Sequence, residues 1–197
     1  MASVSKAPLV WIDCEMTGLN TDIDTIMSLA VFITDADLNI LDQTGYEAII
    51  QHDKEQLDRM GEWCTSHHGQ SGLTQACIDS TTTAEAAAEG LLSYIKEYVP
   101  ERRIGLLAGN SVHADKSFLV KEPYKAVVDH LNYRMMDVSS IKEAARRWAP
   151  KETLKKIPRK QMLHEARADI LESIEEARYY RETFFMKPSS MAEPRKE

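Results

Sequence analysis

The stretch that most constrains this chain is LVWIDCEMTGL, residues 9–19, an apolar run suited to a buried β-strand that nevertheless carries two acids, Asp13 and Glu15. Side chains alternate faces along a strand, so Asp13 and Glu15 point one way while Ile12, Cys14 and Met16 point the other. Two like charges side by side repel, and each raises the other's pKa unless something positive lies between them. A divalent cation is the natural partner. Taken alone, though, a D-x-E in an apolar run reads first as an exposed edge-strand pair held apart by water and basic neighbours. Other carboxylates must decide.

Downstream, residues 25–51 hold two apolar, β-branched runs separated by the turn-forming DADLN, which predicts a hairpin and a three-stranded meander with the first strand. Residues 52–73 turn irregular and polar, with short helices and a loop around Gly69 and Gly72. Thr82 followed by Glu85 predicts a capping box opening an amphipathic helix that ends before Pro100. IGLLAGN predicts a short buried strand, HADKSFLVKE and PYKAVVDHL helical pieces divided by Pro123, and YRMMDVS a further strand. Ser140 with Glu143 is expected to cap SSIKEAARRW. A loop with Pro150 and Pro158 follows, then a strong final helix from ARADILESIEEARYYRETFF. Three meandering strands followed by helix–strand alternation predict an α/β fold, a mixed sheet with helices on both faces.

Two further segments set acids where ligands bind. Asp115, in GNSVHADKSFL, follows a strand that should be buried, and the turn GNS carries the chain to the sheet end where such folds hold ligands. In HEARADI, His164 precedes Asp169 by five residues, which on an ideal helix is a rotation of about 140°. The two therefore cannot share a helix face, and His164 belongs to the loop or cap before the helix. Asp169 falls one turn inside it.

With 197 residues the chain is long enough to bury a substantial core in one domain. Acids outnumber bases 31 to 24, a net charge of −7 that offers no broad basic surface for a long duplex. Any nucleic-acid ligand would have to be short or gripped locally. Cys14, Cys64 and Cys77 form no C-x-x-C pair and are odd in number, which argues against a disulfide framework and a zinc site and favours a reducing compartment. No apolar run approaches a membrane span, and the first ten residues lack the pattern of a secretory signal. The expectation is a soluble intracellular protein of cytoplasm or mitochondria.

WIDCEMTGL, GNSVHADKSFL, YRMMDVSSIKEAARRW and HEARADI, in this order, resemble oligoribonuclease, a member of the DEDDh group of 3′-to-5′ exonucleases with an RNase H-like fold. The similarity runs from about residue 8 to residue 185, leaving residues 1–7 as an extension and 186–197 as a charged, Pro-containing tail expected to be disordered. The resemblance implies a five-stranded sheet, Asp13, Glu15, Asp115 and Asp169 as metal-binding carboxylates, and His164 as general base. Four hard oxygen donors suit two Mg²⁺ or Mn²⁺ ions in phosphodiester hydrolysis. An imidazole with an ordinary pKa near ~6.5 can take a proton from the attacking water at neutral pH.

For the substrate, the resemblance implies that Leu19 is an apolar wedge between bases, Trp63 a stacking platform and His68 part of the same wall. His67 is expected at the surface and His113 as a supporting group. Ser111, Tyr133, Arg134 and Ser139 match positions that close around a terminal phosphate, with Tyr133 and Arg134 supplied by the second subunit of a homodimer. The implied activity is release of 5′-mononucleotides from the 3′ end of very short RNA. The alternatives are a DEDDh exonuclease on longer single-stranded RNA or DNA, and a catalytically weak RNA-binding module. The chain departs from the family pattern at Arg167, where a larger apolar residue is usual, and at Ala168, where a second acid precedes the Asp169 ligand.

Overall fold

The structure is a computed structural model and describes residues 7–158 and 165–185. The chain runs through β1 (Leu9–Met16), β2 (Ile26–Thr34), β3 (Tyr46–Ile49), α1 (Lys54–Leu57), α2 (Glu62–Gln70), α3 (Leu73–Asp79) and α4 (Ala84–Tyr98). It continues through β4 (Leu106–Gly109), α5 (His113–Leu119), α6 (Lys125–His130), β5 (Met135–Asp137), α7 (Val138–Trp148), α8 (Lys151–Leu154) and α9 (Ala166–Tyr180), which closes in a short π-helical turn, Arg181–Phe185. The five strands make one mixed sheet in the order β3-β2-β1-β4-β5. β2 runs antiparallel to β1 and β3, while β4 is parallel to β1 and β5.

β1 is central and covered on both sides, so its alternation sorts residues between two cores. Val10, Ile12 and Cys14 join Leu91 and Ile95 of α4 and Leu119 of α5 on one face. Leu9 and Trp11 join Val138 of α7 and Ile170, Ile174 and Tyr180 of α9 on the other. Asp13 and Glu15 continue the row of Leu9 and Trp11, and therefore emerge on the side that packs against α9.

The DADLN turn forms as expected, organised by the Asp35 carboxylate, which accepts from the amides of Asp37 and Asn39 at 2.8 and 2.9 Å. The returning strand differs. It touches β2 at a single bridge, Thr34 to Ile40, and rejoins the ladder only at Tyr46, after a bend at Gly45 (φ +68°).

Both expected caps shift. Thr83 rather than Thr82 caps α4, its Oγ1 accepting from the Ala86 amide at 3.2 Å. The Thr82 carbonyl is committed to the Gln51 amide at 2.8 Å, so the chain cannot turn into a helix until the next residue. Asp137 rather than Ser140 caps α7, accepting from the Ser139 amide at 2.9 Å, because the helix springs directly from the end of β5. Glu143 pairs forward with Arg146 and Arg147 instead.

Candidate active site

The end of β1, the first turn of α5 and the first turn of α9 converge. Carboxylate oxygens of Asp13, Glu15 and Asp169 all lie within 4.8 Å of one another. Asp115, in the first turn of α5 and 6% exposed, accepts at Oδ1 from the Cys14 amide at 2.9 Å, which seats it against the strand between the two β1 acids. The four expected carboxylates thus come together from three separated stretches of chain. His164 lies outside the described residues.

This crowding has an electrostatic consequence. Burial, with Asp169 and Asp115 as neighbours, pushes the Glu15 carboxyl up to about 8. Burial likewise raises Asp115 to about 7, against the lowering pull of the Cys14 amide and of His113. Hard oxygen donors packed this closely, and reluctant to ionise together, are the arrangement that a divalent cation relieves.

Arg167 and Ala168 stand next to Asp169 in the chain. The Arg167 guanidinium donates to the carbonyls of Thr44 and Gln43 at 2.5 and 2.8 Å, pairs with Glu47 at 2.6 Å and lies 4.8 Å above the Phe32 ring. It therefore bolts the first turn of α9 to the edge of the sheet. A cleft of about 290 Å³ opens beside it, lined by Glu15, Ser28, Leu73 and Arg167 among others.

The residues expected to face substrate sit on short, well-tied segments. Leu19 is 78% exposed on the loop after β1. Asp24 closes that loop, accepting from Thr17 Oγ1 at 2.9 Å and from the Asn20 amide at 2.8 Å. A Cβ at Gly18 would stand 2.4 Å from Asp24 Oδ2 and force that carboxylate to shift. Asp24 was not anticipated, and only a short acidic spacing in TDIDT hints at it.

Trp63 is 64% exposed on α2. Its indole lies flat on the His67 ring, 4.6 Å between centroids and 9° from parallel. His67 is therefore half-buried against the Trp63 indole rather than a plain surface residue. His68 is buried, with its Nε2 3.0 Å from the Met16 carbonyl, and ties α2 to the end of β1 behind Trp63.

Ser111, at φ +54°, and Ser139 bring their hydroxyls to 3.1 Å from each other. Asp137 Oδ1 accepts from both backbone amides, at 3.0 and 2.9 Å, and His113 approaches the other oxygen at 3.4 Å. Tyr133 is 72% exposed beside β5 and stacks under Arg134, whose guanidinium carbon is 4.5 Å from the ring centre.

The exonuclease family profile matches residues 10–177. The chain is 48% identical over 178 residues to a probable oligoribonuclease of Schizosaccharomyces pombe, covering 89% of this chain and 68% of the relative. It is 46% identical to the oligoribonuclease of Neisseria meningitidis serogroup A, covering 92% and 94%, and 47% identical to the mitochondrial oligoribonuclease of Homo sapiens, covering 91% and 74%. Among solved structures, E. coli exonuclease I in complex with a dA16 oligonucleotide superposes with a TM-score of 0.68 at 15% identity, over 89% of this chain and 41% of that one, a likeness of fold. The fold is therefore the RNase H-like exonuclease architecture. The family profile over most of the length, together with close relatives in bacteria, fungi and animals, places this chain in the exonuclease family as one of the oligoribonucleases.

Proposed function

We propose that this 3′-to-5′ exoribonuclease acts on very short oligoribonucleotides, dinucleotides above all, and releases 5′-mononucleotides. The observation that carries the reading is the convergence of Asp13, Glu15 and Asp169 within 4.8 Å, with Asp115 hydrogen-bonded to the strand between the first two. These residues would hold two Mg²⁺ or Mn²⁺ ions, which when bound stabilise the charge on the attacking and leaving oxygens.

His164 takes the proton of the attacking water as its oxygen bonds to phosphorus, and the bond from phosphorus to the 3′ oxygen of the preceding nucleotide breaks. Leu19 wedges between the bases, Trp63 stacks on one of them, and His67 keeps the indole flat. Ser111 and Ser139, with Tyr133 and Arg134 of a second copy in a homodimer, receive the phosphate at the far, 5′ end. A pocket closed at that end selects for length, in keeping with the net charge of −7, which offers little to a long polyanion. Relatives named as mitochondrial, alongside bacterial ones, support an intracellular setting in cytosol or mitochondria.

The test is hydrolysis of a 5′-labelled RNA dinucleotide beside a labelled RNA of roughly 20 nucleotides, which would need many more phosphate contacts. Each is incubated with Mn²⁺, with Mg²⁺ and with chelator, and Asp13→Asn is the control. Rapid metal-dependent loss of the dinucleotide with slow attack on the longer RNA is expected. Faster degradation of the longer RNA would overturn the length selection.

A further inference from the structure

A hydrogen-bonded chain runs behind the phosphate pocket and ends on a carboxylate that has no part in the reaction described above. Glu176 of α9 is 1% exposed. It accepts from the Tyr180 hydroxyl at 2.8 Å, from the Lys142 ammonium at 2.8 Å and from the Asn110 side-chain amide at 3.3 Å. Asn110 Nδ2 also donates to Ser173 Oγ at 2.7 Å, and its Oδ1 accepts from Ser139 Oγ at 3.1 Å. Ser173 Oγ donates in turn to the carbonyl of Asp169 at 2.6 Å.

The direction of every bond in this chain follows from its two ends. A carboxylate only accepts, so Asn110 must turn its Nδ2 toward Glu176. The one proton of Ser173 goes to the Asp169 carbonyl, so Ser173 Oγ is an acceptor for the same Nδ2. Asn110 Oδ1 is then left facing Ser139, which must donate to it. With its proton committed inward, Ser139 Oγ is an acceptor toward Ser111, 3.1 Å away. The proton of Ser111 is the outermost in the series and can turn to an arriving anion.

The backbones of the two serines are held separately. Asp137 Oδ1 clamps the amides of both. Their side-chain orientation is thus the part that Asn110 decides.

We propose that Glu176 and Asn110 are positioning residues for the terminal phosphate: the buried carboxylate orients the Asn110 amide, that amide draws the Ser139 proton inward, and Ser111 is thereby left as the hydroxyl that donates to the phosphate. Through Ser173 the same network reaches the backbone of the metal-ligand residue Asp169, so pocket and metal site share one support. The inference rests on the reading of this pocket as the phosphate site, with Ser111 as the donor and Ser139 as the oxygen behind it.

The test compares kcat/KM for one RNA dinucleotide with and without a 5′-phosphate, in the wild type, in Glu176→Gln and in Asn110→Ala. The wild type is expected to favour the phosphorylated substrate. Both variants are expected to shrink that preference about tenfold, through KM for the phosphorylated form, the size of one lost hydrogen bond to a charged group. Asn110→Ala leaves Glu176 paired with Lys142 and Tyr180, and decides the matter should Glu176→Gln fail to fold. An equal loss on both substrates, with the preference intact, overturns the positioning role. A wild type indifferent to the 5′-phosphate removes the pocket itself and the inference with it.

Discussion

The backbone amide of Cys14 donates to Asp115 Oδ1 at 2.9 Å, joining the residue between Asp13 and Glu15 to a carboxylate 101 positions away. Cys14 buries its own side chain on the opposite face of β1, in the core beneath α4 and α5. The strand therefore offers its acids to one side and anchors the third element of the site by its backbone. Asp115→Asn keeps the shape and an acceptor oxygen but loses the charge. Its activity is expected to fall at least about 100-fold, more than loss of an outer hydrogen-bond partner costs a metal site, with Mn²⁺ affinity falling in parallel by calorimetric titration.

Stability in the absence of metal should depend on pH in a definite direction. The Glu15 carboxyl sits at about 8 and Asp115 at about 7, both above the ordinary carboxylate range. The folded chain then keeps protons that the unfolded chain gives up, so the contribution of these two groups to stability is fully present below about pH 4 and is lost as pH rises toward 8. Thermal melts in chelator should show the midpoint falling over that window. Saturating Mn²⁺, which replaces those protons, should flatten the fall.

Arg167→Ala tests the bolt between α9 and the sheet edge. Its bonds to Thr44, Gln43 and Glu47 are partly exposed, with the side chain 39% accessible, so the expected loss is only about 1 kcal/mol. For a domain of this size that is a midpoint lower by about 2–4 °C in a thermal melt. Because Asp169 is two residues further along the same turn, a weaker Mn²⁺ affinity is expected with it.

Trp63→Ala should leave folding intact, since the indole is 64% exposed, and raise KM for a dinucleotide about 5- to 150-fold, as expected from a base stack worth about 1–3 kcal/mol. Steady-state kinetics check it. A lowered kcat with KM unchanged would contradict the platform role. His67→Ala should reproduce a milder version, because the flat His67 ring 4.6 Å from the indole limits its rotation.

Asp24→Ala should act on the wedge from a distance. Without the carboxylate that gathers Thr17 and Asn20, the loop carrying Leu19 loses its tether. KM is expected to rise about tenfold, the size of one to two lost hydrogen bonds, with the melting midpoint little changed.

What the sequence by itself determined about this protein is local and periodic. Alternation along residues 9–16 put Asp13 and Glu15 on one face, apolar runs marked all five strands, and helical spacing put Asp169 one turn inside α9. Those readings hold because strand and helix geometry repeat over two to four residues. What only the tertiary structure decided are meetings between distant segments: the seating of Asp115 on the Cys14 amide, the stacking of His67 under Trp63 and the Asn110–Glu176 network. The caps followed the same rule, for Thr83 took over from Thr82 once the Gln51 amide had claimed the Thr82 carbonyl, and Asp137 from Ser140 because α7 begins at the end of β5. Arg167 shows it most directly, since its role becomes intelligible only when Gln43, Thr44 and Glu47 are brought beneath it by the return of β3. Side chains propose contacts within a turn of their own element, and the packing of elements against one another decides which distant partners they meet.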